Sequence, residues 1–190
     1  MKKEEAIKIA ESVEGWMDPP DLEFLYNIAT KTISSDKIVE VGPWLGRSTT
    51  ALVLGAKTKD ITVVDKWEGT LGEEVDFPTT GSPIRERFLD AMKKIGFVPA
   101  MIYDESWKGA ERFQDNSITL LFIDANHTEE FVHRDMVNWI PKVKPGGVIC
   151  GHDWYTKPGV PIAVKRVMSE RTDVANLRLA GCNIWAMERK

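Results

Sequence analysis

The stretch Ile38-Val39-Glu40-Val41-Gly42-Pro43-Trp44-Leu45-Gly46-Arg47-Ser48 runs from an apolar strand-like segment through two glycines into a helix start. Glycine at such a turn lets the backbone close on a ligand, and the helix that follows offers amide N–H groups with no partner of their own. Gly42 and Gly46 are spaced Gly-x-x-x-Gly, which misses the dinucleotide fingerprint Gly-x-Gly-x-x-Gly, and no Gly-Lys-Ser/Thr follows to make a phosphate loop. Glu40 stands just before the first glycine. Its charge would repel a phosphate and attract a cationic amino-acid group. Roughly 20 residues on, the next apolar run ends in Asp65, where an acid can accept from ribose hydroxyls. A glycine turn alone would be a plain strand-to-helix joint; the two acids make it a ligand loop.

Outward from that loop the chain alternates. Apolar runs at 38–41, 61–64, 101–103, 118–123 and 148–150 are separated by segments of helical spacing near 48–54, 84–95, 107–113 and 129–140. Strand-helix alternation predicts an α/β fold with a mostly parallel sheet and helices on both faces. In the tail, runs at 174–180 and 183–187 flank Gly181 with too little chain between them for a helical crossover. They are expected to form an antiparallel hairpin at one sheet edge, which brings the sheet to seven strands. Two amphipathic helices precede the first strand, one carrying Ala6, Ile9, Ala10 and Val13, the other Leu22, Leu25, Tyr26, Ala29 and Ile33. Pro19-Pro20-Asp21 separates them as a helix start. The expectation is a single domain over 1–190, with 1–35 as a helical extension packed on it. The segment 68–82, rich in Gly, Thr, Pro and Glu, has no periodicity and reads as either a lid or a disordered loop.

The chain has 190 residues, 43% hydrophobic and 28% charged, enough for one domain with a real core. A net charge of -4 gives no footprint for a nucleic-acid backbone, so no nucleic-acid partner is expected. No window approaches the apolar length of a membrane span, and the Met-Lys-Lys-Glu-Glu start lacks the apolar stretch of a secretory signal. Cys150 and Cys182 lie in strand-like runs and read as buried, reduced thiols of a cytoplasmic protein.

A second constellation belongs to the same sheet edge. The run ending at Ile123 continues into Asp124-Ala125-Asn126-His127, and the run ending at Cys150 into Gly151-His152-Asp153. If these strands are neighbours, Asp124 and Asp153 leave ends about 5 Å apart. Two carboxylates that close share a proton, pair with a cation or bind a metal. Asp124, His152 and Asp153 would make an oxygen-rich site with one nitrogen. Oxygen ligands favour magnesium or manganese, and the imidazole shifts the preference toward manganese, iron or zinc. The other reading is that these residues orient substrate and backbone without metal. His127 is either a base that takes a proton from an acceptor hydroxyl or a helix-start surface residue. His133 reads as solvated or interhelical, and Asp135 as a brace for the loop or an exposed helix acid.

Glu40-x-Gly42-x-x-x-Gly46 resembles the first motif of class I S-adenosylmethionine-dependent methyltransferases, and Asp65 their second-strand acid. Lys144-Pro145-Gly146-Gly147 is similar to the turn they place before the fifth strand. Phe122-Ile123-Asp124-Ala125-Asn126-His127, then Asp135 and Trp139, then Gly151-His152-Asp153-Trp154, resembles the small sugar and antibiotic O-methyltransferases of macrocin and cephalosporin-cluster type. The resemblance implies a Rossmann-like fold over 37–190 and S-adenosylmethionine held on the loop from Glu40 through Gly46 and Ser48. Glu40 and Gly42 would contact the methionine part, Asp65 the ribose, and Ser106 would lie near the adenine. It also implies a divalent metal, magnesium or manganese, at Asp124 and the His152-Asp153 pair, with Asp124 and His127 as catalytic residues. Relatives usually carry an acidic or amide pair there, so His152 is a departure. So is Trp44, which stands in place of a middle glycine and narrows the methionine end. Trp44, Trp67, Trp107 and Trp154 each follow a strand end, and Trp67 is assigned to the adenine side. The acids Glu68, Glu73, Glu74 and Asp76 of the loop would disfavour anionic substrates.

The expected activity is methylation of a small-molecule hydroxyl, sugar or phenolic. The alternatives are a nucleotide- or dinucleotide-binding oxidoreductase and a non-catalytic S-adenosylmethionine-binding protein. The apolar faces of the N-terminal helices fit either their own sheet or a second copy of the chain.

Overall fold

A computed structural model describes residues 1–68 and 83–190. Its seven strands are β1 (Lys37–Val41), β2 (Asp60–Asp65), β3 (Ala100–Tyr103), β4 (Ile118–Ile123), β5 (Val143–Gly151), β6 (Val174–Ala180) and β7 (Ile184–Arg189), in the order β3-β2-β1-β4-β5-β7-β6. All pairings from β3 to β5 are parallel; β7 runs antiparallel to β5 and β6 antiparallel to β7. The α/β class, the seven strands and the C-terminal hairpin are as the sequence predicts. The expected lid falls, from 69 to 82, outside the described residues.

Side chains alternate across the sheet with the period of a strand. Val39 and Val41 of β1 and Leu121 and Ile123 of β4 face α6 (Glu129–Trp139) and α7 (Gly159–Glu170), where Trp139, Val160 and Val164 complete one core. Ile38, Leu120, Phe122 and Cys150 face the other way, onto α1 (Lys3–Glu11), α2 (Pro19–Ala29) and α3 (Arg47–Gly55). Glu40 alternates onto that second face with them. A third cluster, with Phe88 and Met92 of α4 (Pro83–Lys94), covers the β2 side.

Two elements differ from expectation. The helix expected at 107–113 is a single turn, α5 (Ser106–Gly109), followed by a 3-10 turn over Ala110–Arg112. Helix α7 was not expected, because Pro158, Gly159 and Pro161 look like turn residues. Proline is tolerated in the first turn of a helix, where its missing N–H has no partner to lose. Beyond it Val160, Ala163, Val164 and Val167 make an ordinary buried stripe. Lys144-Pro145-Gly146-Gly147 lies inside β5, where the register with β4 shifts and Gly146 takes φ 78°. Among the described residues no helix is long and apolar enough to cross a membrane.

The N-terminal helices are tied to the glycine loop by one side chain. Arg47 donates from Nε to Val13 O (2.7 Å), from Nη1 to Met17 O (2.9 Å) and from Nη2 to Glu11 O (2.8 Å). A guanidinium fork suits this geometry because its donors are fixed relative to one another. Arg47→Ala should therefore cost about 1–3 kcal/mol. In limited proteolysis its first cuts should fall between α1 and α2, ahead of cuts in the sheet domain.

Candidate active site

The strand order reverses between β1 and β4, and at such a switch point an open α/β sheet binds its ligands beyond the strand C-termini. Val41 pairs with Ile123, Asp124 N donates to Val41 O (2.8 Å) and Gly42 N donates to Val64 O (3.0 Å). Gly42 has φ 84°, and a Cβ built there would stand 2.2 Å from Asp124 O. Only glycine fits, so the turn after β1 is pressed against the turn after β4. Gly46 has φ 96° and precedes α3 as its N-cap.

Glu40 is fully buried beneath this loop. Ser48 Oγ donates to its Oε1 (2.5 Å), and Oε2 has no hydrogen-bond partner. Burial pushes the carboxyl up to about 7, against the pull of the neighbouring Ser48 and Thr49 hydroxyls. Asp65 closes β2 and accepts from Trp67 N (2.6 Å); burial raises it to about 6. An unpaired buried carboxylate oxygen under a glycine cradle fits a cationic ligand group. The residues present therefore fit the methionine end of S-adenosylmethionine, with Ser48 holding Glu40 in place.

Beside the loop, ligand atoms of Asp124, His152 and Asp153 all lie within 4.8 Å of one another. This donor set, two carboxylates and an imidazole, fits a divalent cation after a small contraction. His127 Nε2 sits 2.9 Å from Asp153 Oδ2 and 3.4 Å from Asp124 Oδ1. Burial would lower the His127 pKa, but hydrogen bonds and charge from Asp124 and Asp153 outweigh it and push it up to about 11. Without a cation His127 is thus an imidazolium bridging two acids. His152, also buried, is pushed up to about 10 by Asp153 and Asp21. Asp153 adopts φ 64°, and although burial alone would raise its carboxyl, His127, His152 and Thr156 hold it far below the usual range.

Three contributors to this cluster were missed by sequence reasoning. Asp21 in α2 lies 3.3 Å from His152 Nε2. Asn183, in the β6–β7 turn, donates from Nδ2 to Asp153 Oδ1 (3.3 Å) and Thr156 Oγ1 (2.8 Å), and Thr156 donates to Asp153. Asp21 was legible only as a helix-start acid after two prolines, and the others carried no signal.

The tryptophans divide. Trp44, at φ 48°, is half-buried with its ring 5.5 Å from that of Trp16, which is 70% exposed. Together they form an aromatic surface beside the glycine loop. Trp67, at φ 60°, is buried with its ring 4.8 Å from Phe88, so one of its faces is taken up by the core. Trp107 packs edge-on to Phe131, with the Arg134 guanidinium 3.5 Å from its ring centre. Lys165 lies over Trp154 at 5.6 Å. Ser106 opens α5, and its carbonyl accepts from Trp139 Nε1 (2.9 Å). Asp135, which the sequence reads as a brace or an exposed acid, is fully buried, with no hydrogen bond of good geometry to either oxygen. Burial pushes it up to about 7, opposed by the neighbouring Ser106 side chain and the Arg134 charge. His133 pairs with Glu170 at 2.7 Å.

The raised acids set the pH dependence of the ligand-free chain. Glu40, Asp65 and Asp135 hold protons more tightly folded than unfolded, so stability falls as pH rises from their ordinary values to between about 6 and 7. The contributions of His127 and His152 are complete below 6.5 and are lost as pH rises toward about 11 and about 10. Thermal unfolding should therefore occur at lower temperature at about pH 8 than at about pH 5. Glu40→Gln should recover roughly 2–3 kcal/mol at the higher pH and little at the lower.

Residues 39–154 match the Methyltransf_24 family, described as a methyltransferase domain. An uncharacterized protein of Sinorhizobium fredii, y4gI, is 28% identical over 121 residues, which are 62% of this chain and 13% of that much longer protein. A solved structure from Corynebacterium glutamicum superposes with TM-score 0.70 at 13% identity, covering 97% of this chain and 89% of its own. The Bacillus cereus O-methyltransferase in complex with SAH superposes with TM-score 0.66 at 13% identity, covering 98% and 90%. With its match spanning more than half of its length, the chain belongs to the Methyltransf_24 methyltransferase-domain family, and its fold is that of class I S-adenosylmethionine-dependent methyltransferases.

Proposed function

We propose that the chain transfers the methyl group of S-adenosylmethionine to a hydroxyl oxygen of a small molecule, a sugar or a phenol, with a divalent cation held by Asp124, His152 and Asp153. The observation that carries this is the convergence of those residues and His127 beside the Gly42 turn, where Gly42 and Asp124 meet main chain to main chain. Glu40 faces the ammonium of the cofactor and Asp65 its ribose. Trp16, exposed beside the half-buried Trp44, offers a sugar or aromatic ring a wall beside the loop.

In the reaction the acceptor oxygen forms a bond to the methyl carbon as the carbon–sulfur bond breaks and its electron pair stays on sulfur. The hydroxyl proton passes to His127. A bound cation would acidify that hydroxyl and hold it in line. His127 accepts a proton only after losing its own, and the attraction of Asp124 and Asp153 is what keeps that proton on. Positive charge bound to the two acids would weaken this attraction and lower the His127 pKa toward neutrality. The protein otherwise contributes alignment of the two reactants. Family membership argues against the dinucleotide alternative.

A second, metal-free reading is favoured by one distance pair, His127 Nε2 at 2.9 and 3.4 Å from Asp153 and Asp124. There the imidazolium itself neutralises the acids, and the cluster only orients the acceptor. Asp124→Ala and chelation of the parent together separate the readings. With the metal, calorimetry should show S-adenosylhomocysteine binding within about threefold of the parent while turnover falls by about 100-fold or more. Chelation of the parent protein should reproduce that loss. Turnover that survives both treatments removes the metal from the site.

A further inference from the structure

Asp21 comes from outside the sheet, yet its carboxylate is almost completely buried against the site. Its Oδ1 accepts from two backbone amides of the hairpin turn, Cys182 N (2.6 Å) and Asn183 N (3.0 Å). Its Oδ2 lies 3.3 Å from His152 Nε2. The turn is shaped around it: Gly181 takes φ 59°, and a Cβ there would stand 2.1 Å from Asp21 Oδ1. The opposite ring nitrogen, His152 Nδ1, faces Asp153 Oδ1 at 3.6 Å, inside the group that converges with Asp124.

We infer that Asp21 is a positioning residue that, when a divalent cation takes the place of the Nδ1 proton, keeps the remaining proton of His152 on Nε2 and so presents Nδ1 as the lone-pair donor to that cation. The inference rests on the metal reading proposed above. A histidine ligand needs its second nitrogen fixed by a hydrogen bond, because that bond selects the tautomer and the ring orientation. Oδ1 is already committed to two N–H donors, so Oδ2 is the oxygen left for the imidazole N–H. The carboxylate thus sets which nitrogen is available, and the N-terminal extension becomes part of the cation site.

Asp21→Asn tests this at nearly constant shape. The amide oxygen would stay with the Cys182 and Asn183 amides, which turns the NH2 group toward His152 Nε2. That nitrogen must then accept, the proton moves to Nδ1, and the lone pair is lost to the cation. Mn2+ binding to the full chain, read from the electron-spin-resonance signal of the free ion, should weaken by about 10- to 100-fold. S-adenosylhomocysteine affinity and the circular-dichroism spectrum should not change. The same exchange is repeated in a His152→Asp background, where a carboxylate ligand has no tautomer to choose. There Asp21→Asn should weaken Mn2+ binding by only about threefold or less, the share due to losing one nearby negative charge. Unchanged affinity in the first comparison overturns the inference, as does an equal loss in both backgrounds, which would make Asp21 a brace for the hairpin alone. If the parent chain binds no Mn2+ with S-adenosylhomocysteine present, the metal reading itself fails and takes this one with it.

Discussion

The turn after β1 and the turn after β4 meet through Gly42 and Asp124, backbone against backbone, at a distance no side chain could share. That approach follows from two adjacent parallel strands ending level, Val41 beside Ile123, with a hydrogen bond from Asp124 N to Val41 O. The proposed site is placed by it. The loop that would take the cofactor and the acids that would take the acceptor are held at one point of one edge. A transfer between two bound molecules depends on such fixed proximity more than on any single reactive group. A larger residue at Gly42 would separate β1 from β4, so it would disturb both halves of the site together.

Stability is given up to build this edge. Glu40 is wholly buried with one oxygen unpaired, and Asp135 is wholly buried with both oxygens unpaired. Each would be replaced by a neutral side chain if packing were the only requirement. For Glu40 the cofactor proposed above the loop would supply a reason, a cationic group facing the carboxylate. For Asp135 the structure gives no comparable partner, and its neighbours are the Ser106 turn and Arg134 stacked on Trp107. The surrounding sheet tolerates both because its two faces are otherwise filled with aliphatic and aromatic side chains.

The sheet was legible because its signals are local. Strand-helix alternation, the glycine spacing and the acids at strand ends all lie within a few residues of one another, and the hairpin follows from the short distance across Gly181. The same is true of Asp124, His127, His152 and Asp153, which the parallel order brings to one edge. What escaped is non-local. Trp67 follows a strand end, yet its ring turns into the cluster around Phe88, a choice that depends on a helix some twenty residues away. Asp21 and Asn183 lie at opposite ends of the chain and meet only because α2 and the β6–β7 turn flank β5. Helix α7 was hidden by prolines that are harmless in a first turn.

The N-terminal extension therefore has a different standing from the one its sequence suggests. Two amphipathic helices before a complete sheet read as an appendage, to be buried on the domain or on a second copy. In the structure α2 delivers Asp21 to His152, and Arg47, immediately after the glycine loop, grips the carbonyls of the segment that carries Trp16. One end of that segment thus meets the proposed cation site and the other the proposed acceptor wall. Any change in acceptor that needs a different wall must preserve the Arg47 grip and the Asp21 contact, or lose the loop and the histidine with them. Between these two anchors Trp16 is 70% exposed while Met17 is buried, so specificity has the most room to diverge at Trp16.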